Sequence, residues 1–194
     1  MTPGNTSSNN AALPGTGIRQ FFYPTSELSD SHSMGAFHTR VRLADNREGL
    51  LVDLGAHDNL TGSEWVERVT AWLSKHHPGK SIRTSRLGRS ISIEGVGTNP
   101  DRCENAVRVP LHLAGGETAT FDAPVIPNSA VPALLGMRSL KAKRAVIDVH
   151  SKRIYFPGNG QVDIRMPEGS TSYQLEETPT GHLLPPVTEL ARSI

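Results

Sequence analysis

The residues of this chain that could do chemistry centre on Asp53, which ends the apolar run Leu50-Leu51-Val52 and is followed two positions later by Gly55. A carboxylate at the end of a buried strand is costly unless its charge has a partner or a purpose. The glycine lets the backbone turn sharply, with no Cβ in the way. Two interpretations are open from these residues alone. Asp and Gly are common where a strand ends in a turn, and the same pattern is expected of a catalytic aspartate presented on a loop.

The segment before Asp53 predicts a β-hairpin that delivers this residue to its loop. Phe37, Thr39, Val41 and Leu43 alternate with basic side chains at the positions between them. An alternation of this kind has the period of a half-buried strand. Residues 45–49 then supply turn-forming side chains before the apolar run begins.

An amphipathic helix of roughly four turns is predicted directly after the loop. Thr61, followed three residues later by Glu64, fits a capping box. Apolar residues recur at helical spacing at Trp65, Val66, Val69, Trp72 and Leu73. The adjacent His76 and His77 invite a metal-binding interpretation, but neighbouring residues do not share a helix face and cations favour a helix C-terminus. We therefore expect no metal site there.

The next part of the chain offers a basic surface and a glycine-bearing tip. Arg83, Arg86 and Arg89 predict either a nucleic-acid-binding face or, more simply, a solvated one. Gly95-Val96-Gly97 precede a polar run, which is expected of a hairpin turn or of a mobile flap. Both interpretations of this tip are open.

The second half of the chain predicts further strands and a short helix. Apolar residues alternate at Val107, Val109, Leu111 and Leu113, and a turn at Gly115-Gly116 leads to a strand through Ala119, Phe121 and Val125. Residues 132–136 repeat the theme of an apolar run that ends in glycine, and a helix is expected from Met137 to about Lys143. Residues 145–149 and 154–156 predict a closing hairpin. The expected fold class is mainly β: a small, closed, antiparallel barrel with one amphipathic helix and one short C-terminal helix.

Composition sets the expected domain organisation and compartment. Residues 1–33 are rich in Ser, Thr, Asn, Gly and Pro and predict a flexible arm, and residues 158–194 predict a Pro-rich extension or linker. The formal net charge is only +1, so no strong field favours nucleic acid or an anionic membrane. Cys103 is the single cysteine, no secretory signal is visible, and no apolar run approaches the ~20 residues that span a bilayer. We expect an intracellular, cytoplasmic protein that has no membrane partner and binds no nucleic acid through this domain.

Two motifs in this order resemble those of the retropepsin-like aspartic proteases, most closely the proteases of retrotransposon Gag-Pol polyproteins. The first is Val52-Asp53-Leu54-Gly55-Ala56-His57-Asp58-Asn59-Leu60 and the second is Val131-Pro132-Ala133-Leu134-Leu135-Gly136-Met137-Arg138-Ser139-Leu140. Each motif alone is weak, but their order and separation make the pair fairly specific. The matching segment runs from about Phe37 to Phe156, inside an expected domain of residues 34–157.

The resemblance implies a homodimer in which Asp53 of each subunit activates a water molecule that hydrolyses a polypeptide substrate, without metal or cofactor. Leu54, Gly55 and Ala56 would form the active-site loop, and Leu135 and Gly136 would pack beneath it. Substrate would be bound by the residues after the loop and by the flap: His57, Asp58, Gly95, Val96 and Gly97. The implied role is the processing of a retroelement polyprotein.

Position 54 departs from the family pattern, which has Thr or Ser between the aspartate and the glycine. That hydroxyl hydrogen-bonds across the dimer and fixes both loops, whereas Leu54 can neither donate nor accept. Losing a buried partner costs about 1–3 kcal/mol per orphaned group. Two hypotheses follow: an active aspartic endopeptidase, or a catalytically impaired fold that serves as a binding or dimerisation module.

Overall fold

The computed structural model describes residues 41–43, 45–93, 101–113, 116, 118–172 and 174–186. Within these ranges the protein is mainly β, with two helices. Its elements in chain order are β1 (Leu50–Val52), β2 (Thr61–Gly62), α1 (Ser63–His76), β3 (Arg83–Ile93), β4 (Asp101–His112), β5 (Thr118–Ile126), β6 (Ala133–Leu135), α2 (Met137–Ala142), β7 (Val146–Asp148), β8 (Arg153–Tyr155), β9 (Glu176–Glu177) and β10 (Leu183–Leu184).

The largest sheet has four strands in the order β2-β5-β4-β3. Strands β3, β4 and β5 are antiparallel neighbours, and β2 runs parallel to β5. The alternation predicted for β4 and β5 is confirmed. Val107 lies opposite Ala123 and Val109 lies opposite Phe121, and all four side chains are buried on one face of the sheet. This face is half of the core.

Helix α1 supplies the other half of the core. Its buried side chains Trp65, Val69 and Leu73 recur at helical spacing, which confirms the predicted amphipathic helix. The rings of Trp65 and Phe121 meet edge to face with their centroids 5.8 Å apart, a favoured aromatic geometry.

The capping box predicted at the start of α1 is wrong. The residue before the helix is Gly62, and no side chain caps the first turn. Thr61 is instead buried in β2, and the Glu64 N–H donates to the Ser129 carbonyl 3.2 Å away. The capping box would have bonded the Glu64 N–H to the Thr61 hydroxyl. The backbone carbonyl of the distant Ser129 accepts that N–H in its place.

Of the hairpin predicted before Asp53, the structure describes the turn, the end of the first strand and the second strand. The turn forms, since the Asn46 N–H donates to the Leu43 carbonyl at 3.0 Å, but residues 41–43 are not in a strand and Val41 and Leu43 are exposed. Strand β1 pairs in parallel with β6, which was not predicted. The earlier part of the predicted strand, with Phe37 and Thr39, lies outside the described residues.

The predicted closed barrel is not found among the described strands, which form one four-stranded sheet and three two-stranded sheets. Closure would require the two edges of one sheet to bond to each other. Strand β2, at one edge, has only two residues, and β3, at the other, is paired with β4 alone. The short strands around Asp53 therefore form a separate sheet beside the large one.

The closing hairpin is confirmed as β7 and β8, in which Ile147 lies opposite Ile154. Its turn is organised by Asp148, whose carboxylate accepts bonds from the Ser151 N–H and hydroxyl at 3.0 and 2.7 Å. These bonds hold the pKa of Asp148 below its usual value, the hydroxyl most strongly. Beyond residue 158 the chain returns to the domain and forms the small β9–β10 hairpin.

Histidines and a tryptophan gather at the C-terminal end of α1. The rings of His77 and His112 stack in parallel 3.9 Å apart, and Trp72 stacks on His76. Nitrogen lone pairs of parallel stacked rings point side by side and do not converge on one ion, and the described residues contain no cluster of His, Cys, Asp or Glu suited to a metal. Desolvation, followed by the charges of His77 and Lys80, lowers the pKa of His112.

The arginines of β3 lie on the surface. Arg83, Arg86 and Arg89 are all exposed, and Arg86 Nη2 lies 3.9 Å from Glu104 Oε2.

In the part of the chain that the structure describes, no helix is both long enough and apolar enough to cross a membrane.

Candidate active site

Asp53 is placed by the parallel pairing of β1 with β6. Leu50, Leu51 and Val52 lie opposite Ala133, Leu134 and Leu135, respectively. The ladder continues one residue further, because the Asp53 N–H donates to the Leu135 carbonyl at 3.2 Å. The two stretches on which the predicted site rests are thus hydrogen-bonded to each other across about 80 residues of chain.

The loop after Asp53 turns at once around the carboxylate. Asp53 Oδ1 accepts the Gly55 N–H at 2.8 Å, and an added Cβ at position 55 would lie 3.3 Å from the same oxygen. A side chain there would crowd the carboxylate, which explains the glycine. The Asp53 side chain is half-buried, whereas Leu54 is 58% exposed. Leu54 therefore projects away from the domain core.

The N-terminus of α2 anchors the middle of the loop. The Met137 and Arg138 N–H groups donate to the carbonyls of Ala56 and His57 at 2.8 and 2.9 Å. The first N–H groups of a helix have no partner within it, so the loop supplies the acceptors that α2 needs. The loop and the helix stabilise each other through these two bonds.

Gly136 lets the loop and the second motif approach this closely. An added Cβ at position 136 would overlap the Asp58 carbonyl and lie 3.0 Å from the Ala56 carbonyl oxygen. The backbone of Gly136 therefore lies directly against the backbone of the Asp53 loop.

Asn59 ties the end of the loop to two other elements, and sequence reasoning gave it no role. Its Oδ1 accepts the Gly136 N–H at 3.1 Å and the Ser139 hydroxyl at 2.9 Å, and its Nδ2 donates to the Asp122 carbonyl at 3.0 Å. The signal that could have found it is an amide side chain, with both donor and acceptor, immediately before the strand-forming Leu60.

The loop also wraps around β6. Leu60 exchanges two backbone hydrogen bonds with Leu134, at 3.3 and 2.7 Å, on the edge of β6 that β1 leaves open. The chain therefore bonds to β6 both before and after the loop. Asp58 adds an exposed ion pair with Arg138 at 3.3 Å, which we expect to contribute less than about 1 kcal/mol.

Replacing Asn59 by alanine is expected to lower the free energy of unfolding by about 2–3 kcal/mol. The change removes three hydrogen bonds and leaves the Gly136 N–H without its acceptor, at about 1–3 kcal/mol for such a group. Chemical denaturation measures the change. Asn105→Ala, at an exposed position on β4, is the matched control and should stay within about 0.5 kcal/mol of the wild type. Equal effects of the two changes would contradict the role given to Asn59.

The remaining predicted site residues divide into two groups. His57 and Asp58 lie exposed on the Asp53 loop, and their role in substrate binding stays a prediction. Gly95, Val96 and Gly97 lie outside the described residues, so their role in a flap stays a prediction. Strands β3 and β4 are paired up to Ile93 and Asp101, on either side of that segment.

A groove of about 650 Å³ runs beside the loop. Leu54 and His57 form its loop side, α2 contributes Met137 and Leu140, and the C-terminal segment contributes Leu183.

Comparison of the chain with protein-family models, with curated proteins and with solved structures gives no match.

Proposed function

We propose that the protein is an aspartic endopeptidase of the retropepsin type, active as a homodimer with one Asp53 from each subunit. The observation that carries the proposal is the contact between the two motifs. The β1–β6 pairing and the close fit of Gly136 under the loop present the Asp53 carboxylate on a braced turn. An ordinary strand end followed by a turn needs neither of these features.

In the proposed dimer, the two Asp53 carboxyls would lie about 3 Å apart and share one proton, because two like charges at that distance cannot both ionise. The ionised carboxylate takes a proton from water as the water oxygen attacks the peptide carbonyl carbon. The protonated partner gives its proton to the carbonyl oxygen. Collapse of the resulting diol, with proton transfer to the leaving nitrogen, completes hydrolysis without a covalent intermediate.

A second copy of the chain is needed to complete the pair of aspartates. The sequence has one Asp-x-Gly-Ala motif. Asp148 also follows two apolar residues, but it lacks the glycine two positions later and is engaged by Ser151 in the β7–β8 turn. Val52 and Leu54 are exposed apolar side chains on either side of Asp53. A partner subunit that covers them would bury apolar surface at about 25 cal/mol per Å².

The substrate we infer is an extended polypeptide. In the simplest case it is a retroelement polyprotein of which this chain would itself be a part. A peptide bound between two subunits would pass over both Asp53 loops and meet His57 and Asp58 of each.

The experiment is a cleavage assay on the purified chain at mildly acidic pH, with a library of quenched fluorescent peptides. We expect cleavage that pepstatin inhibits, with a rate that rises as the square of the protein concentration below the dimer dissociation constant. Cleavage that is absent over the whole concentration range, or insensitive to pepstatin, would overturn the proposal.

The exposed Leu54 favours a second candidate function, a binding or dimerisation module without catalysis. Leu54→Thr separates the two candidates. If the protein is a protease whose dimer lacks a cross-subunit bond, two restored bonds of about 1 kcal/mol each should tighten the dimer by about 10- to 30-fold and raise activity. Sedimentation and the cleavage assay measure both effects.

Leu54→Val is the matched control, because valine has the shape of threonine but no hydroxyl. We expect little or no gain from it. Equal behaviour of the threonine and valine variants would favour the module over the protease.

A further inference from the structure

The C-terminal segment folds into a hairpin that contacts the Asp53 loop. In the β9–β10 hairpin Leu183 lies opposite Glu177, and its turn is closed by the Thr178 N–H, which donates to the His182 carbonyl at 2.8 Å. Glu177 accepts a hydrogen bond from Lys141 of α2 at 2.5 Å. The hairpin is thereby tied to the same helix that anchors the loop.

The tip of this hairpin lies directly on the loop. His182 Nε2 is 3.0 Å from the Gly55 carbonyl oxygen, across 127 residues of chain. Gly181, with a φ of +84°, lies so close to the His57 ring that an added Cβ would overlap the imidazole. The left-handed backbone conformation at position 181 therefore favours glycine.

Three consecutive carbonyls of the loop are each held by a different donor. The carbonyls of Ala56 and His57 accept from the first N–H groups of α2, and the carbonyl of Gly55, nearest to Asp53, accepts from His182. Without His182, the held carbonyl nearest to the Asp53 carboxylate would be that of Ala56 and not that of Gly55.

The hydrogen-bond directions around His182 are determined by the acceptor. A carbonyl can only accept, so Nε2 carries the proton and donates to Gly55. In the neutral ring Nδ1 then accepts from the Thr180 hydroxyl at 2.9 Å, and Thr180 Oγ1 accepts from the Thr178 hydroxyl at 2.9 Å. The His182 N–H donates to Thr178 Oγ1 at 3.0 Å, so both threonine hydroxyls and the His182 ring have hydrogen-bond partners.

We propose that His182 is a positioning residue for Asp53, which braces the active-site loop from within its own chain and so compensates for the hydroxyl that Leu54 lacks. The inference rests on the proposed function for its catalytic consequence, but the brace itself is a property of the loop. In the retropepsin pattern a hydroxyl at position 54 would fix the loop. Here the imidazole fixes the carbonyl of the next residue.

The test compares His182→Ala with His182→Gln, whose amide N–H can still donate to the Gly55 carbonyl. In the alanine variant we expect kcat to fall about tenfold with little change in KM, and the glutamine variant should recover activity to within about threefold of the wild type. His150→Ala, an exposed histidine in the β7–β8 turn, is the matched control and should leave kcat unchanged.

A second measurement follows the loop without reference to catalysis. The Gly55 amide, which donates to Asp53 Oδ1, should exchange with solvent about tenfold faster in His182→Ala, whereas amides of β4 and β5 keep their exchange rates. In the wild type, ¹⁵N shifts should report His182 as the Nε2–H tautomer. Gly181→Ala displaces the hairpin but keeps the His182 side chain. It should also accelerate exchange of the Gly55 amide.

The outcomes separate the brace from the proposed function. Unchanged Gly55 exchange in His182→Ala overturns the brace, and so does a rise in kcat, because the hairpin would then cover the loop and not support it. Faster Gly55 exchange in a protein without peptidase activity supports the brace and overturns the protease.

Discussion

Replacing Asp53 by asparagine is expected to reduce kcat for peptide cleavage by at least about 10³-fold. An amide can neither take a proton from water nor share one with the partner's carboxyl, and acid–base catalysis by a positioned side chain contributes about 10²–10⁴. The fold should persist, because asparagine Oδ1 can accept the Gly55 N–H as Asp53 Oδ1 does at 2.8 Å. Single-turnover cleavage of a fluorescent peptide measures the loss, and thermal unfolding checks the fold.

Asp148→Asn is the matched control for this change. Asp148 also follows two apolar residues, but its carboxylate accepts bonds from Ser151 in an exposed turn. The control should therefore retain cleavage and lose only some stability of the β7–β8 turn. Cleavage by Asp53→Asn at the wild-type rate would show that another group performs the chemistry.

Local sequence patterns predicted the elements that carry their own periodicity. The helical spacing of Trp65, Val69 and Leu73 predicted α1, and the alternation at Val107 and Val109 predicted β4, because each pattern reports which face of one element is buried. The short helix predicted from Met137 to about Lys143 is found at Met137–Ala142. These features depend only on residues close together in the chain.

Partners that lie far apart in the chain could not be predicted in the same way. A three-residue strand such as β1 is too short to show a periodicity that would indicate its neighbour, so its parallel pairing with β6 could not be predicted. The capping box failed for the same reason. Thr61 and Glu64 fit a local rule, but the Ser129 carbonyl competes for the helix donor once the chain has folded.

The site shows the same division between local and distant information. Asp53, Gly55, Leu135 and Gly136 were recognisable because two short motifs resemble a family pattern. Asn59 was not recognisable, because its role depends on hydrogen bonds to three distant residues. These are Asp122 of β5, Ser139 of α2 and Gly136, which precedes α2. His182 was missed because its partner is a backbone carbonyl 127 residues away, which no side-chain pattern marks.

Both helices begin in a similar way, and this bears on how the domain holds its loop. Each follows a glycine, Gly62 or Gly136, at which an added Cβ would overlap backbone atoms of a distant segment. At each start, two backbone N–H groups donate to carbonyls of that segment. The donors are Gly62 and Glu64 for α1, and Met137 and Arg138 for α2. The glycines therefore set how closely two pieces of backbone approach, and side chains then fill the remaining space.

Gly136→Ala is expected to lower the free energy of unfolding by about 3 kcal/mol, at the upper end for overpacking, because the added methyl meets backbone and not a flexible side chain. The Asp58 carbonyl blocks the new Cβ, and the Ala56 carbonyl oxygen lies 3.0 Å from it, so the loop must move. At about 2–4 °C per kcal/mol for a chain of this size, Tm should fall by about 6–12 °C. Displacement of the Asp53 loop by about 1 Å should also reduce kcat by about 10²-fold.

Gly79→Ala is the matched control for this change, because nothing lies within 4 Å of the Cβ it would add. We expect the control to be unchanged or slightly more stable, since alanine reduces the conformational entropy of the unfolded chain. Calorimetry on both variants measures Tm, and the cleavage assay measures kcat. If Gly136→Ala were as stable and active as Gly79→Ala, the loop and the second motif could not be in the close contact from which the catalytic role of Asp53 is inferred.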